Sequence, residues 1–104
     1  MAKPVSLSYG SAAILHAIAD GRVFGFDIMD ATGLTSGTVY PALDRLESAG
    51  YLRSKWEADA VARAEGRPAR RYFTLTANGA LALRAALEKY RALRPLAGFS
   101  PEEA

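Results

Sequence analysis

Along this chain the spacing of apolar positions changes from three or four residues to two, and then back again. In Tyr9–Ala19, Ile14, Leu15 and Ile18 follow Ser11 and Ala12 at intervals that gather them on one side of a helix, which Asp20 and Gly21 end. Phe26 and Met29 mark the buried side of a second short helix over residues 25–31, with Gly33 as its stop. Ser36 opens a third helix as its cap; Val39, Leu43 and Leu46 point inward and Gly50 closes it. The period then drops to two. Over residues 52–57, Leu52 and Trp56 share one face while Arg53, Lys55 and Glu57 take the other, and residues 70–75 repeat the pattern with Phe73 and Leu75. Two such strands predict a hairpin, whose connection over residues 58–69 contains Gly66 and Pro68 and is expected to be a mobile loop. Thr76 caps a final helix to residue 94, lined by Leu83, Ala86, Leu87, Tyr90 and Leu93 and ended by Pro95.

The order helix, helix, helix, strand, loop, strand, helix predicts a mainly α fold with a small β-hairpin. That is a winged helix-turn-helix over residues 1–75, with the hairpin as wing, then a C-terminal helix over residues 76–94 and a tail over residues 95–104. A chain of 104 residues is one domain's worth of core.

Composition narrows the chemistry. With no cysteine and one histidine, His16, the chain has no disulfide, thiolate zinc site, cysteine nucleophile or histidine cage. It carries no paired-carboxylate or glycine-loop motif either, so an enzyme is not expected, nor a cofactor or a metal. No apolar run approaches the roughly 20 residues of a membrane helix and no signal-peptide layout opens the chain, so the expected compartment is cytoplasmic. The net charge of +2 is mild but unevenly placed: between Gly66 and Pro95 lie seven basic residues and one acid.

The stretch SGTVYPALDRLESAG then stands out, because a glycine, two β-branched residues and a proline are poor helix starters. They suit a contact surface better. In a helix-turn-helix the first turn of the second helix meets DNA. Ser36 can cap amides, Gly37 keeps no side chain between phosphate and backbone, Thr38 brings a hydroxyl and Tyr40 a phenol, with Pro41 just inside the first turn. Arg45, one turn on, can reach a base edge or pair with a neighbouring acid, and Arg67, Arg70 and Arg71 beside Gly66 and Pro68 would arm the wing for phosphate or minor groove.

Together the runs AAILHAIADGRVFGFDIM, SGTVYPALDRLESAGYL, SKWE and GRPARRYFTLTANG resemble, in the same order, the PadR family of bacterial transcriptional regulators, over roughly residues 10–80. The resemblance implies a homodimeric winged-helix repressor on a palindromic duplex operator. It implies DNA contact from Ser36, Gly37, Thr38, Tyr40 and Pro41 and from the wing around Gly66, Arg67 and Arg70. It also makes the last helix, through Leu83, Leu87, Tyr90 and Leu93, the dimerisation element. Many such proteins answer to small aromatic or hydrophobic molecules, and Trp56, Tyr90 and Phe99 are the candidate aromatic lining of a dimer crevice. A winged-helix module that docks on protein and never touches DNA is the alternative.

Overall fold

The computed structural model describes residues 7–97, with side chains placed through residue 91. In chain order it forms α1 (Tyr9–Ala19), α2 (Gly25–Thr32), α3 (Ser36–Ser48), β1 (Leu52–Trp56), α4 (Asp59–Ala64), β2 (Arg71–Leu75) and α5 (Ala77–Ala97). This is a mainly helical winged helix carrying a two-stranded antiparallel hairpin.

Helix α1 starts on Ser8, whose Oγ accepts the Ser11 N–H at 3.1 Å. Its apolar side, Ile14, Leu15 and Ile18, is buried against α2, α3, α5 and β2, so α1 is the axis on which the other elements lean. In α2 the buried side is Gly25 and Ile28, with Met29 half-buried. Phe26, expected inside, is 76% exposed. Two residues turn a helix through about 200°, so a register that sends Ile28 inward sends Phe26 out. Gly33 ends α2 in the left-handed region at φ 73°, where a side chain would be strained, and swings the chain into α3. The inner face of α3, Val39, Ala42, Leu43 and Leu46, closes the core together with Phe73.

Strands β1 and β2 pair from Leu52 opposite Leu75 to Trp56 opposite Arg71. An edge that the sequence pattern did not reveal joins them: Phe24 bridges Tyr72, and the Phe73 N–H donates to the Val23 carbonyl at 2.8 Å. The wing is thereby bonded to the turn between α1 and α2. The hairpin connection is not a plain loop, because α4 occupies half of it and buries Ala62. Alanines between Asp59 in the first turn and Arg63 in the last are good helix formers with favourable end charges.

Thr76 does cap the final helix: its Oγ1 accepts the Gly79 N–H at 3.0 Å and donates to the Gly50 carbonyl at 2.6 Å, tying α5 to the end of α3. Pro95 does not end α5, which continues to Ala97. The proline removes one intrahelical hydrogen bond near the end of a 21-residue helix, and the preceding turns carry it on. Leu83 and Ala86 face the chain's own core, and the Tyr90 Oη donates to the Leu7 carbonyl at 2.7 Å. Of the stripe expected to form a dimer seam, Leu87 is the member left open, at 39% exposed, and the Leu93 side chain lies outside the described residues.

Candidate nucleic-acid interface

Helix α3 has two unlike faces. Opposite its buried side, Ser36, Gly37, Thr38, Tyr40, Pro41, Asp44 and Arg45 are all exposed. Thr35, not Ser36, is the capping residue: it is extended (φ −81°, ψ 164°), and its carbonyl already accepts the Thr38 and Val39 N–H groups. Its side chain makes no capping hydrogen bond, so the first amides of α3 have no side-chain acceptor. Pro41 therefore sits beyond the first turn, where its missing N–H leaves the carbonyl of exposed Gly37 without a helical donor. The Tyr40 ring lies across the start of α2. A Cβ on Gly25 would collide with its Oη and ring carbons, so glycine there is what lets the tip of the phenol come close to the backbone.

The arginines expected to act together on the wing have three different partners. Arg67 is paired end-on, at two points, with Glu57 (Nη1–Oε1 2.5 Å, Nη2–Oε2 2.9 Å), which also accepts the Tyr72 hydroxyl at 3.2 Å and the Arg70 N–H at 3.3 Å. The Arg67 hydrogen bonds, more than any other cause, hold the Glu57 carboxyl down at about 2, against the opposing effect of burial. The same partnership raises Arg67. Arg71 reaches back to α3, bonding Glu47 and, at 3.3 Å, Asp44. Glu47 also accepts the Ser54 hydroxyl at 2.7 Å, the main reason its carboxyl is lowered. Arg70 alone of the three has no carboxylate partner among the described residues; its guanidinium lies over the Phe24 ring, 4.1 Å from the centroid, while that of Arg71 lies 4.9 Å from the centroid of Phe73. Gly66, at φ 69°, turns the chain from α4 into this segment.

Between the start of α2, the Tyr40 turn of α3 and the wing lies a cleft of about 390 Å³ walled by Phe24, Phe26, Tyr40 and Trp56. Trp56 shares a strand face with Leu52, as expected, but β1 runs past the core and leaves the indole 64% exposed. It stands in this cleft, whereas Tyr90 packs edge-to-face on Tyr9, with ring centroids 5.2 Å apart. The two aromatics expected to share a crevice thus have separate surroundings, and Phe99 lies outside the described residues. The clamp of Glu57 on Arg67 gave no signal in the sequence pattern. The exposed face of Phe26 and the cleft it joins gave no sequence signal. Among the described residues no cluster of three metal-ligating side chains occurs and no helix is long and apolar enough to cross a membrane.

An exposed helix start beside an arginine-bearing hairpin defines a winged-helix regulator of the DNA-binding class. The model of the PadR-like family of transcriptional regulators matches residues 14–85, most of the chain, and the chain belongs to that family. Members are DNA-binding transcription regulators, not enzymes. A PadR family transcription regulator from hypervirulent Clostridium difficile R20291 is similar in structure, with TM-score 0.72 and 23% identity over 86% of this chain and 94% of that one. Bordetella bronchiseptica BpsR, whose DNA binding is regulated by 6-hydroxynicotinic acid, gives TM-score 0.71 and 21% identity over 94% of this chain and 71% of its own. A transcriptional regulator from Clostridium thermocellum gives 0.69 and 21% over 86% and 90%. At these identities the likeness is one of fold. No curated protein sequence matches the chain.

Proposed function

We propose that the protein is a homodimeric cytoplasmic repressor that sets two copies of α3 into successive major grooves of a palindromic operator and is released by a small aromatic or hydrophobic molecule. The observation that carries this is the two-faced α3: its inner side is wholly committed to the core, while the uncapped start from Ser36 to Tyr40, with Pro41 and Arg45, is left to solvent. Ser36, Gly37 and Thr38 offer amides and a hydroxyl to phosphate; Tyr40 and Arg45 are the longer reach toward base edges. On the wing, Arg70 is the cation ready for phosphate. Arg67, already held by Glu57, shapes the hairpin next to Gly66. The dimer is proposed to use the open edge of α5 at Leu87, since Leu83 and Tyr90 serve the protomer's own core. Family membership favours this reading over a protein-docking module.

Selection of bound fragments from random duplex DNA tests it. The expected product is a palindrome with half-sites roughly 34 Å apart. With about four phosphates per protomer, log K should fall against log salt with a slope near −7. No enrichment, or a slope near zero, would refute the DNA contact, and Leu87→Glu leaving the dimer intact in sedimentation would refute the seam.

A further inference from the structure

We propose that Asp44 reads a base, and that it makes cytosine the preferred base at one position in each half of the operator. This rests on the reading of α3 as the helix that enters the major groove.

Each residue turns a helix through about 100°. The inner side of α3 is centred on Val39, Ala42, Leu43 and Leu46, so the positions most nearly opposite are Gly37, Pro41, Asp44 and Ser48, all exposed. Tyr40 and Arg45 flank that line. The middle of the surface offered to DNA therefore carries small or rigid residues and a single charge, which is negative. The Asp44 side chain is 68% exposed. A carboxylate among phosphates is repelled, so it is favoured in the groove only where a base edge donates to it.

The fold restrains this charge. Arg71, the first residue of β2, donates from Nη1 to Asp44 Oδ1 at 3.3 Å and from Nη2 to Glu47. Its guanidinium also lies 4.9 Å from the centroid of the buried Phe73 ring. One arginine thus holds both carboxylates of α3 against the core and offsets part of their charge. Asp44 Oδ2 has no partner among the described residues, so one acceptor oxygen stays open on a carboxylate whose other oxygen is fixed.

The chemistry of the groove ranks what that oxygen can meet. Only the exocyclic amines of cytosine and adenine donate there, while guanine and thymine present acceptors. Adenine N6 lies between two acceptors, its own N7 and thymine O4. Cytosine N4 has guanine O6 on one side and a C–H on the other, so it repels a carboxylate less. The expected order is cytosine, adenine, then thymine and guanine. Arg45, beside Asp44 and without a carboxylate partner among the described residues, stays available for guanine or phosphate.

The full chain, Asp44→Ala and Asp44→Asn are each used to select bound fragments from random duplex DNA. Wild type should enrich a palindrome with cytosine at one symmetric pair of positions. Asp44→Ala should lose the preference at that pair and keep the rest of the palindrome. Asp44→Asn should move it to adenine, whose N6 and N7 suit an amide. In titrations, exchanging that cytosine for guanine in one half-site should weaken wild type about tenfold and leave Asp44→Ala indifferent. Circular dichroism should be the same for all three, since the side chain is exposed. Cytosine retained by Asp44→Ala overturns the inference and leaves the DNA reading standing. Equal weakening of Asp44→Ala on both duplexes, with cytosine still preferred, also overturns it, because Asp44 would then serve only to hold Arg71. No enrichment by wild type removes the DNA reading and this inference with it.

Discussion

The core beneath α3 and the wing beside it are held by different forces. Under α3, Ile14, Leu15, Ile28, Val39, Leu43 and Phe73 are fully buried, and no polar or charged residue lies among the buried set of the described residues. On the wing, the order comes from carboxylates: Glu57 gathers Arg67, Tyr72 and the Arg70 N–H, and Glu47 gathers Arg71 and Ser54. Burial is insensitive to pH and salt, whereas ion pairs near the surface are sensitive to both. The positions of α3 and of the hairpin's base are therefore fixed by burial and backbone hydrogen bonds, through Leu52, Phe73 and the Val23 carbonyl, while the outer end of the wing is held by charge.

The sharpest break of this contrast is Leu43→Ala, which should lower stability by about 2–5 kcal/mol in urea denaturation, since Leu43 is fully buried at the centre of the core. Two glycines make the next pair. A Cβ on Gly79 would meet the Tyr51 backbone carbonyl, which cannot step aside, whereas on Gly25 it would meet the Tyr40 ring tip, which can. Gly79→Ala should thus destabilise by about 1–3 kcal/mol and Gly25→Ala by less. Gly25→Ala should instead weaken operator binding by displacing Tyr40. Equal destabilisation by the two would mean that Tyr40 is as fixed as backbone.

The same contrast explains what the sequence could and could not reveal. The helices and the inward faces of α1 and α3 follow from period and end signals, because burial imposes a period. Phe26 was misplaced because Phe26 and Met29 on one side and Gly25, Ile28 and Met29 on another both keep helical spacing in so short a helix. Helix α4 was missed because Gly66 and Pro68 drew attention to a loop and away from the alanines before them. The exposed turn proposed for DNA contact, with Ser36 to Thr38, Tyr40 and Pro41 open to solvent, stood out by its poor helix formers, but its cap was off by one residue. The partners of Arg67, Arg70 and Arg71 were not legible at all. Which carboxylate meets which guanidinium depends on the hairpin register and on the angle of the wing to α3, and no local pattern encodes either.

Acid should separate the two regions. Glu57 lies near 4.5 when free and at about 2 in the folded chain. A depressed carboxyl contributes its stability above the unfolded value and loses it as pH falls through the folded one. The wing should therefore loosen between about pH 4.5 and pH 2, with Trp56 emission, next in sequence to Glu57, as the probe. Glu57→Gln should flatten that dependence and leave an already loosened wing at neutral pH, with the helical signal in the far ultraviolet holding in both proteins. A wild-type wing signal that stays level down to pH 2 would mean that the clamp does not set its position.

The smallest effect concerns which wing cation is available to phosphate. Arg70 has no carboxylate to leave, so Arg70→Ala should shallow the log K against log salt slope by about 0.9 per protomer, or about 1.8 for a dimer. Arg67 must first give up Glu57, and a guanidinium already neutralised carries little displaceable counter-charge to the duplex. Arg67→Ala should therefore change the slope by less than half as much. It should still weaken binding at every salt concentration, because it strands the Glu57 carboxylate beside the path of the phosphates. Double substitution of Glu57 and Arg67 by Gln and Ala should recover much of that loss, since it removes the repelling charge together with its partner. If Arg67→Ala instead matches Arg70→Ala in slope, the pair opens on DNA and Glu57 acts as a stand-in for phosphate in the free protein.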